Sequence, residues 1–286
     1  MNSLYPMPSS EKAVPLQRTR GSGRLSVKHA AGQSRIDRLF QEGSARIRLP
    51  KVPKGAPLEA VIINTAGGLT GGDHMVWHFE AGEGARMSLT TQACEKTYKA
   101  NGETEARVAV RLKLQSASSM AWLPQETILF DRARLQRAID VDMAADARLL
   151  MVEPVVFGRL AMNEAVIKGL FRDRWRIRVG AHLLHAEETR LGPDIDADLN
   201  RMAIAAGGLA IATIVMIAPE AEIRLDAVRQ IIGPSGGASY VSPRGAKTGK
   251  LLARLVAKDS YELRQRLGPL IRLLNPEGGL PKVWST

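Results

Sequence analysis

Thirteen short segments of this chain alternate apolar and polar residues and are cut apart by Gly, Pro, Asp or Asn turns. Successive side chains on a strand point to opposite faces, so each segment can bury one face against a partner sheet and leave the other wet. They fall at 24–30, 45–52, 59–64, 75–80, 85–91, 105–115, 127–130, 135–142, 149–153, 175–179, 182–186, 210–218 and 250–257. No regular strand–helix alternation separates them, which argues against a doubly wound nucleotide fold and for an all-β sandwich or wound sheet. Helices gather late. Pro219, followed by Glu220 and Glu222, opens one expected to reach Ile232, where Gly233-Pro234 stops it. Asp259 with Glu262 forms a capping-box pattern for a second, reaching about Asn275, with Gly268-Pro269 expected to kink or break it. No internal repeat or domain linker is evident, and Ser235-Gly236-Gly237 reads as a loop.

The longest uncharged stretch, 202–219, sits at the lower length limit for a membrane span. Gly207-Gly208 splits it, and its β-branched second half reads better as a buried strand. The N-terminus carries Pro6, Pro8 and Pro15 without an apolar core, so it is not a secretory signal. The single cysteine, Cys94, excludes an intrachain disulfide and fits a reducing cytosol. A soluble, cytoplasmic protein with no membrane association is expected.

Charge raises another class of partner. The chain has 40 Lys+Arg against 29 Asp+Glu, a net +11, and 28 of the cations are Arg. Phosphate neutralisation by such residues drives nucleic-acid binding. Yet aromatic residues make up only 5% of the chain, and no zinc-finger, RNP1-like or basic-zipper pattern occurs. One local pattern is sharper: Arg172, Arg174, Arg176 and Arg178 alternate with Asp173, Trp175, Ile177 and Val179. On a strand all four guanidiniums share one face, either a solvated surface or a docking surface for an acidic protein.

Candidate chemistry is sparse. In Asn64–Asp73, Gly67-Gly68 and Gly71-Gly72 free the backbone for tight turns. A phosphate loop would need a helix next, and here an alternating strand follows. Gly245–Lys250 fails as a Walker motif because Leu251 stands in the Ser/Thr place. His74, His78 and Glu80 read as strand residues before a hairpin turn at Gly82–Gly84. Positions four apart on a strand are about 13 Å apart, too far for one ion. His182 and His185, three apart, face opposite sides. Cys94 reads by default as a small buried hydrophobe. No Ser-His-Asp order, Gly-x-Ser-x-Gly elbow or Cys-x-x-Cys pair occurs, so an independent enzyme is not expected. Asp73, Glu153 and Glu187 each flank a turn or an apolar strand. Each suits a turn hydrogen bond or an Arg pair, and a cluster of them could hold a divalent ion transiently.

Five separated motifs then fall in one known order. NTAGGLTGGD (64–73), TTQACEKTYKA (90–100), WLPQETILFDRARL (122–135), EPVVFGRLAMNE (153–164) with FRDRWRIRVGAHLLHAEE (171–188), and the terminal LPKVWST resemble the urease accessory protein family UreD, also called UreH. The resemblance spans 24–286, implying one β-rich domain there and a flexible segment over 1–23. It implies a mainly β fold of wound, stacked, β-helix-like sheets with a few helices near the C-terminus. It implies a non-enzymatic nickel-insertion chaperone acting with UreF and the GTPase UreG on apo-urease, with no cofactor of its own and no nucleic acid. An internal polar passage would carry nickel transiently. Asp73, Glu153 and Glu187 match the family's acidic positions, and Thr90, Thr91, Gln92, Lys96 and Tyr98 its central strand motif. Ala66, Cys94, Asn163 and Ser285 depart from the family pattern, leaving Cys94, His74 and His78 without family support as ligands.

Overall fold

The computed structural model describes residues 17–159, 164–242 and 248–285. The chain winds between two sheets. After β1 (Arg20–Ala30), β2 (Gln33–Gly43), β3 (Ala45–Arg48) and β4 (Leu58–Asn64) come β5 (His74–Ala81), β6 (Arg86–Thr91), β7 (Glu95–Thr97) and β8 (Ala106–Leu114). Then follow β9 (Ser119–Leu123), β10 (Thr127–Leu129), β11 (Arg134–Met143), β12 (Arg148–Phe157), β13 (Leu170–Val179) and β14 (His182–Leu191). The last part adds α1 (Ile195–Asn200), β15 (Ala210–Ala218), α2 (Leu225–Ile232), β16 (Gly236–Val241), β17 (Gly249–Ala257) and α3 (Ser260–Leu274).

One sheet has the order β14-β13-β11-β8-β5-β1-β2, the other β16-β17-β15-β12-β9-β6-β4-β3. In the first, β1, β5, β8, β11 and β13 run parallel. In the second, β4, β6, β9 and β12 do. Successive strands therefore stack as coils of a β-solenoid. A short third wall stacks Leu69, Thr97, Leu129 and Phe157. The turn at Gly82–Gly84 carries the chain from the first sheet to the second, so the hairpin expected there is absent; a Gly turn alone does not say which sheet the next strand joins.

Alternation explains the burial. The inward residues of β5 (Met75, Trp77, Phe79, Ala81) meet those of β6, β11 and β12 in one large core. A second core lies on the outer side of the other sheet, where α2 and α3 cover β15 and β17. That is why 210–218 is apolar on both faces, as a strand buried on both sides must be. Among the described residues, no helix is long and apolar enough to cross a membrane.

Several boundaries differ from expectation. β1 starts at Arg20 rather than 24, and residues 1–16 of the expected N-terminal segment lie outside the described residues. β2, which has no buried residue, the short β7 and β9, and β16 across the expected loop at 235–237 carried too little apolar alternation to mark them. α2 begins at Leu225 after a 3-10 turn at Glu222–Arg224. α3 runs through Pro269 unbroken, because Leu263, Leu267, Leu270, Ile271 and Leu274 anchor it on both sides of the missing N–H. The N-cap forms as expected, the Glu262 amide donating to Asp259 Oδ1 at 2.8 Å, while the Glu262 side chain accepts from the Lys258 amide at 3.1 Å and not from the cap residue's own. Asp259→Ala is expected to cost about 1 kcal/mol in chemical denaturation, the ordinary worth of an N-cap.

Candidate functional site

A cavity of about 330 Å³ opens between the sheets. Its position follows from β12. That strand pairs with β9 up to Met151 and with β10 from Val155, so 152–154 have no partner on that side. Pro154, which lacks a ladder donor, sits in this gap. Glu153 beside it turns inward to the cavity.

Glu153 is 2% exposed and Arg137, on β11, 6%. Trp122 Nε1 donates to Glu153 Oε1 at 2.6 Å, and Arg137 Nη1 lies 2.6 Å from Oε2. The same guanidinium binds Asp173 on β13 through Nε to Oδ1 at 3.0 Å and Nη2 to Oδ2 at 2.7 Å. Nη1 also donates to Thr127 Oγ1 at 3.2 Å. Two buried carboxylates thus share one cation. Burial and the neighbouring Asp173 carboxylate push Glu153 up to about 7, against the opposing pull of Arg137. Burial opposes the charge on Arg137, but the Asp173 and Glu153 carboxylates outweigh it and raise Arg137 above its ordinary value, so it stays charged.

The polar track continues past this triad. Across the first sheet Arg137 is level with Asp173 and Thr189. Across the second Glu153 is level with Thr213 and Arg254. Glu187 on β14 pairs with Arg254 at the open edge and lies 3.9 Å from His185 Nε2. Burial and the cations Lys250, Arg254 and Arg176 push His185 down to about 4, so it is neutral near pH 7. Thr213 and Arg254 therefore continue the level of Glu153 across the second sheet to the exposed Glu187–Arg254 pair at its edge.

At the mouth stands Glu95, which accepts from Asn64 Nδ2 at 3.1 Å. Burial pushes it up to about 7, with Asp73 adding to the rise. Asp73 itself is engaged in the loop: Oδ1 accepts the Thr19 amide and Oδ2 the Thr70 amide, both at 2.8 Å. The glycines serve close packing. A Cβ on Gly68, at φ +150, would lie 2.4 Å from the Tyr98 ring, and one on Gly71 would lie 2.2 Å from the Thr104 carbonyl oxygen. Strand β5, not a helix, follows, so the loop offers no phosphate cradle.

The central strand motif frames the same mouth. Thr91 Oγ1 accepts the Gln125 amide at 2.9 Å, while Gln92 and Lys96 line the cavity. Tyr98 packs edge-on to Phe130 and donates to the Gly67 carbonyl at 3.3 Å. Thr90 is fully buried, its hydroxyl without a hydrogen-bond partner among the described residues. Cys94 Sγ is 3.3 Å from Glu126 Oε2, and Arg264 of α3 clamps that carboxylate at 2.6 and 2.7 Å. Burial and Glu126 push the thiol up to about 11. It is a protonated donor, neither nucleophile nor ready soft ligand. Cys94→Ala should accordingly leave stability within about 1 kcal/mol, the net worth of one hydrogen bond, in thermal melts. His74 and His78 point out from β5, as expected of strand residues.

Asp73 in the loop, Glu153 at the cavity and Glu187 at the far edge thus stand apart and not in a common cluster. Among the described residues no three His, Cys, Asp or Glu side chains converge on a metal position. Sequence reading missed Arg137, Asp173 and Glu95. The parity signal existed: Asp173 alternates with Trp175 and Ile177 on the apolar side of β13, and Arg137 shares parity with Leu135 and Ile139. An ionised residue on an inward register needs an inward partner.

Comparison with known proteins matches the UreD urease accessory protein family model over residues 19–285. The urease accessory protein UreD of Brucella suis is 52% identical over 271 residues, covering 95% of this chain and 96% of the relative. That of Mesorhizobium japonicum is 53% identical over 277 residues, covering 96% and 98%. A family model that runs through nearly every strand here, with relatives above half identity over their whole length, leaves one conclusion: the chain belongs to the UreD urease accessory protein family.

Proposed function

We propose that this protein is a non-enzymatic scaffold for urease maturation that helps insert the nickel centre, acting with UreF and the GTPase UreG on apo-urease. Family membership supports the urease role. The cavity between the sheets, lined by Glu95 and Glu153 with Glu187 beyond it at the sheet edge, supports a route for a small cation. Nickel is cargo here, not a resident cofactor. Oxygen ligands, few at any point, suit transfer, because a cage of thiolates or imidazoles would hold the ion. A conduit binds weakly at several places so that the ion can leave each. GTP hydrolysis falls to the partner, since the Asn64–Asp73 loop leads into a strand. A cytoplasmic setting fits a lone thiol and a cytosolic client.

The test is urease nickel content, measured by elemental analysis after co-expression with Asp73→Ala, Glu153→Ala or Glu187→Ala. Each variant is expected to lower nickel per active site while a complex with UreF still forms. Full nickel loading by all three would sink the passage reading.

A further inference from the structure

Among the described residues no helix covers the outer face of the first sheet, unlike that of the second, which α2 and α3 cover. Sheets of parallel strands are ordinarily covered on both faces. One cross-strand row there runs Arg20, His74, Arg107, Gln136, Arg172, Arg190 in consecutive register and contains no acid. Strands lie about 4.8 Å apart, so the row spans about 24 Å. Arg172 and Arg190 stand directly opposite each other, an arrangement that costs stability unless an anion answers it. Arg172 has Glu188 at 2.6 Å, and Arg107 reaches Glu105 only at 3.9 Å.

We propose that this face docks an acidic protein surface, with the Arg20–Arg190 row as its electrostatic footprint and the β2 edge as its apolar anchor. Charge complementarity identifies an anion, and three observations choose protein over nucleic acid. Phe40, 48% exposed on β2 and directly opposite Arg24, gives an apolar contact on the same face, with Arg24 held 5.8 Å over its ring. The aromatic rings of β5 and β13 (Trp77, Phe79, Phe171, Trp175) all point inward, so Phe40 has no second ring from these strands with which to stack successive bases. Carboxylates also interrupt the neighbouring rows, Asp140 bonding Arg174 at 3.2 Å and Glu80 bonding Lys113 at 3.1 Å. They would repel a phosphate backbone but can pair with a protein carrying both signs.

The choice of proteins in the test, though not the inference, rests on the proposed role in urease maturation. The full chain, tagged, is co-expressed with the urease subunits, UreF and UreG and compared with two triple variants of equal charge change. One is Arg20→Glu/Arg107→Glu/Arg190→Glu; the other, away from the face, is Lys51→Glu/Lys54→Glu/Lys258→Glu. The row variant is expected to lose about tenfold in recovery of one acidic component at low salt, with the off-face variant near wild type. If the row variant melts low, the Arg→Gln triple repeats the comparison with the fold intact. Equal behaviour of the two triples overturns the inference, as does a row variant that keeps every protein but sheds co-purifying nucleic acid. Should wild type recover none of these proteins, the maturation role fails on its own. Salt elution from poly-L-glutamate then decides: earlier elution of the row variant than of the off-face variant supports an acidic-protein site, and equal elution overturns it.

Discussion

Arg137→Met is expected to cost about 3–5 kcal/mol, enough to leave much of the chain unfolded at growth temperature. The side chain is nearly isosteric along its stem, so the loss is electrostatic. Arg137 holds Asp173 by two parallel hydrogen bonds and Glu153 by a close ion pair, all buried. Without it two carboxylates face each other in an apolar interior with only Trp122 Nε1 and weak dipoles to answer them. Each would have to bind a proton to remain. The variant's remaining stability should therefore rise as pH falls from 8 to 5.5, because the folded state takes up protons that the unfolded chain, ionised throughout that range, does not bind. Denaturant midpoints across that range check it. A variant as stable as wild type at pH 8 would mean that solvent reaches the triad. Arg137→Lys should recover only part of the loss, since an ammonium cannot span both carboxylates with a planar fork.

This triad also marks where sequence reading stops. Period-two alternation located most strands of both sheets, and the doubly apolar run at 210–218 found its place because burial on both sides leaves a composition no exposed strand has. The Asp259–Glu262 spacing found the start of α3 for a similarly local reason. The winding order was not local. Nothing at Gly82–Gly84 says that the chain changes sheets, and the exposed β2 has no buried face to announce it. The site divides the same way. Asp73, Glu153 and Glu187 were visible as acids beside turns or apolar strands, but their placement depends on the level at which β11, β12, β13, β14 and β17 stack. Arg137 and Asp173 are 36 residues apart and meet only because β11 and β13 pair in parallel. Their inward parity was readable singly, and the partnership was not.

Glu153→Gln should separate the fold from the function. The amide retains an oxygen for Trp122 Nε1 and leaves Arg137 and Asp173 as a neutral buried pair, while its NH2 meets the Arg137 Nη1 donor in place of the ion pair. In the wild type, burial raises Glu153 in the folded state to about 7 from an ordinary value of 4.5. Its contribution to folding is full below the ordinary carboxylate value and is lost as pH climbs through about 7. The amide has no proton to lose, so the variant's melting temperature should fall less than the wild type's between pH 6 and 8.5. The same change removes the one carboxylate oxygen facing both the cavity and the triad. For a cation moving along the proposed route this is the step between mouth and far edge, and delivery should drop by about tenfold, the scale on which a single polar partner tunes metal affinity. On the same preparations urease nickel content should therefore fall while the melting temperature loses part of its dependence on pH. A fall in nickel together with a lower melting temperature at every pH would make Glu153 a structural residue and move the cation route away from the triad. Retention of full nickel content would show that the interior route carries no metal.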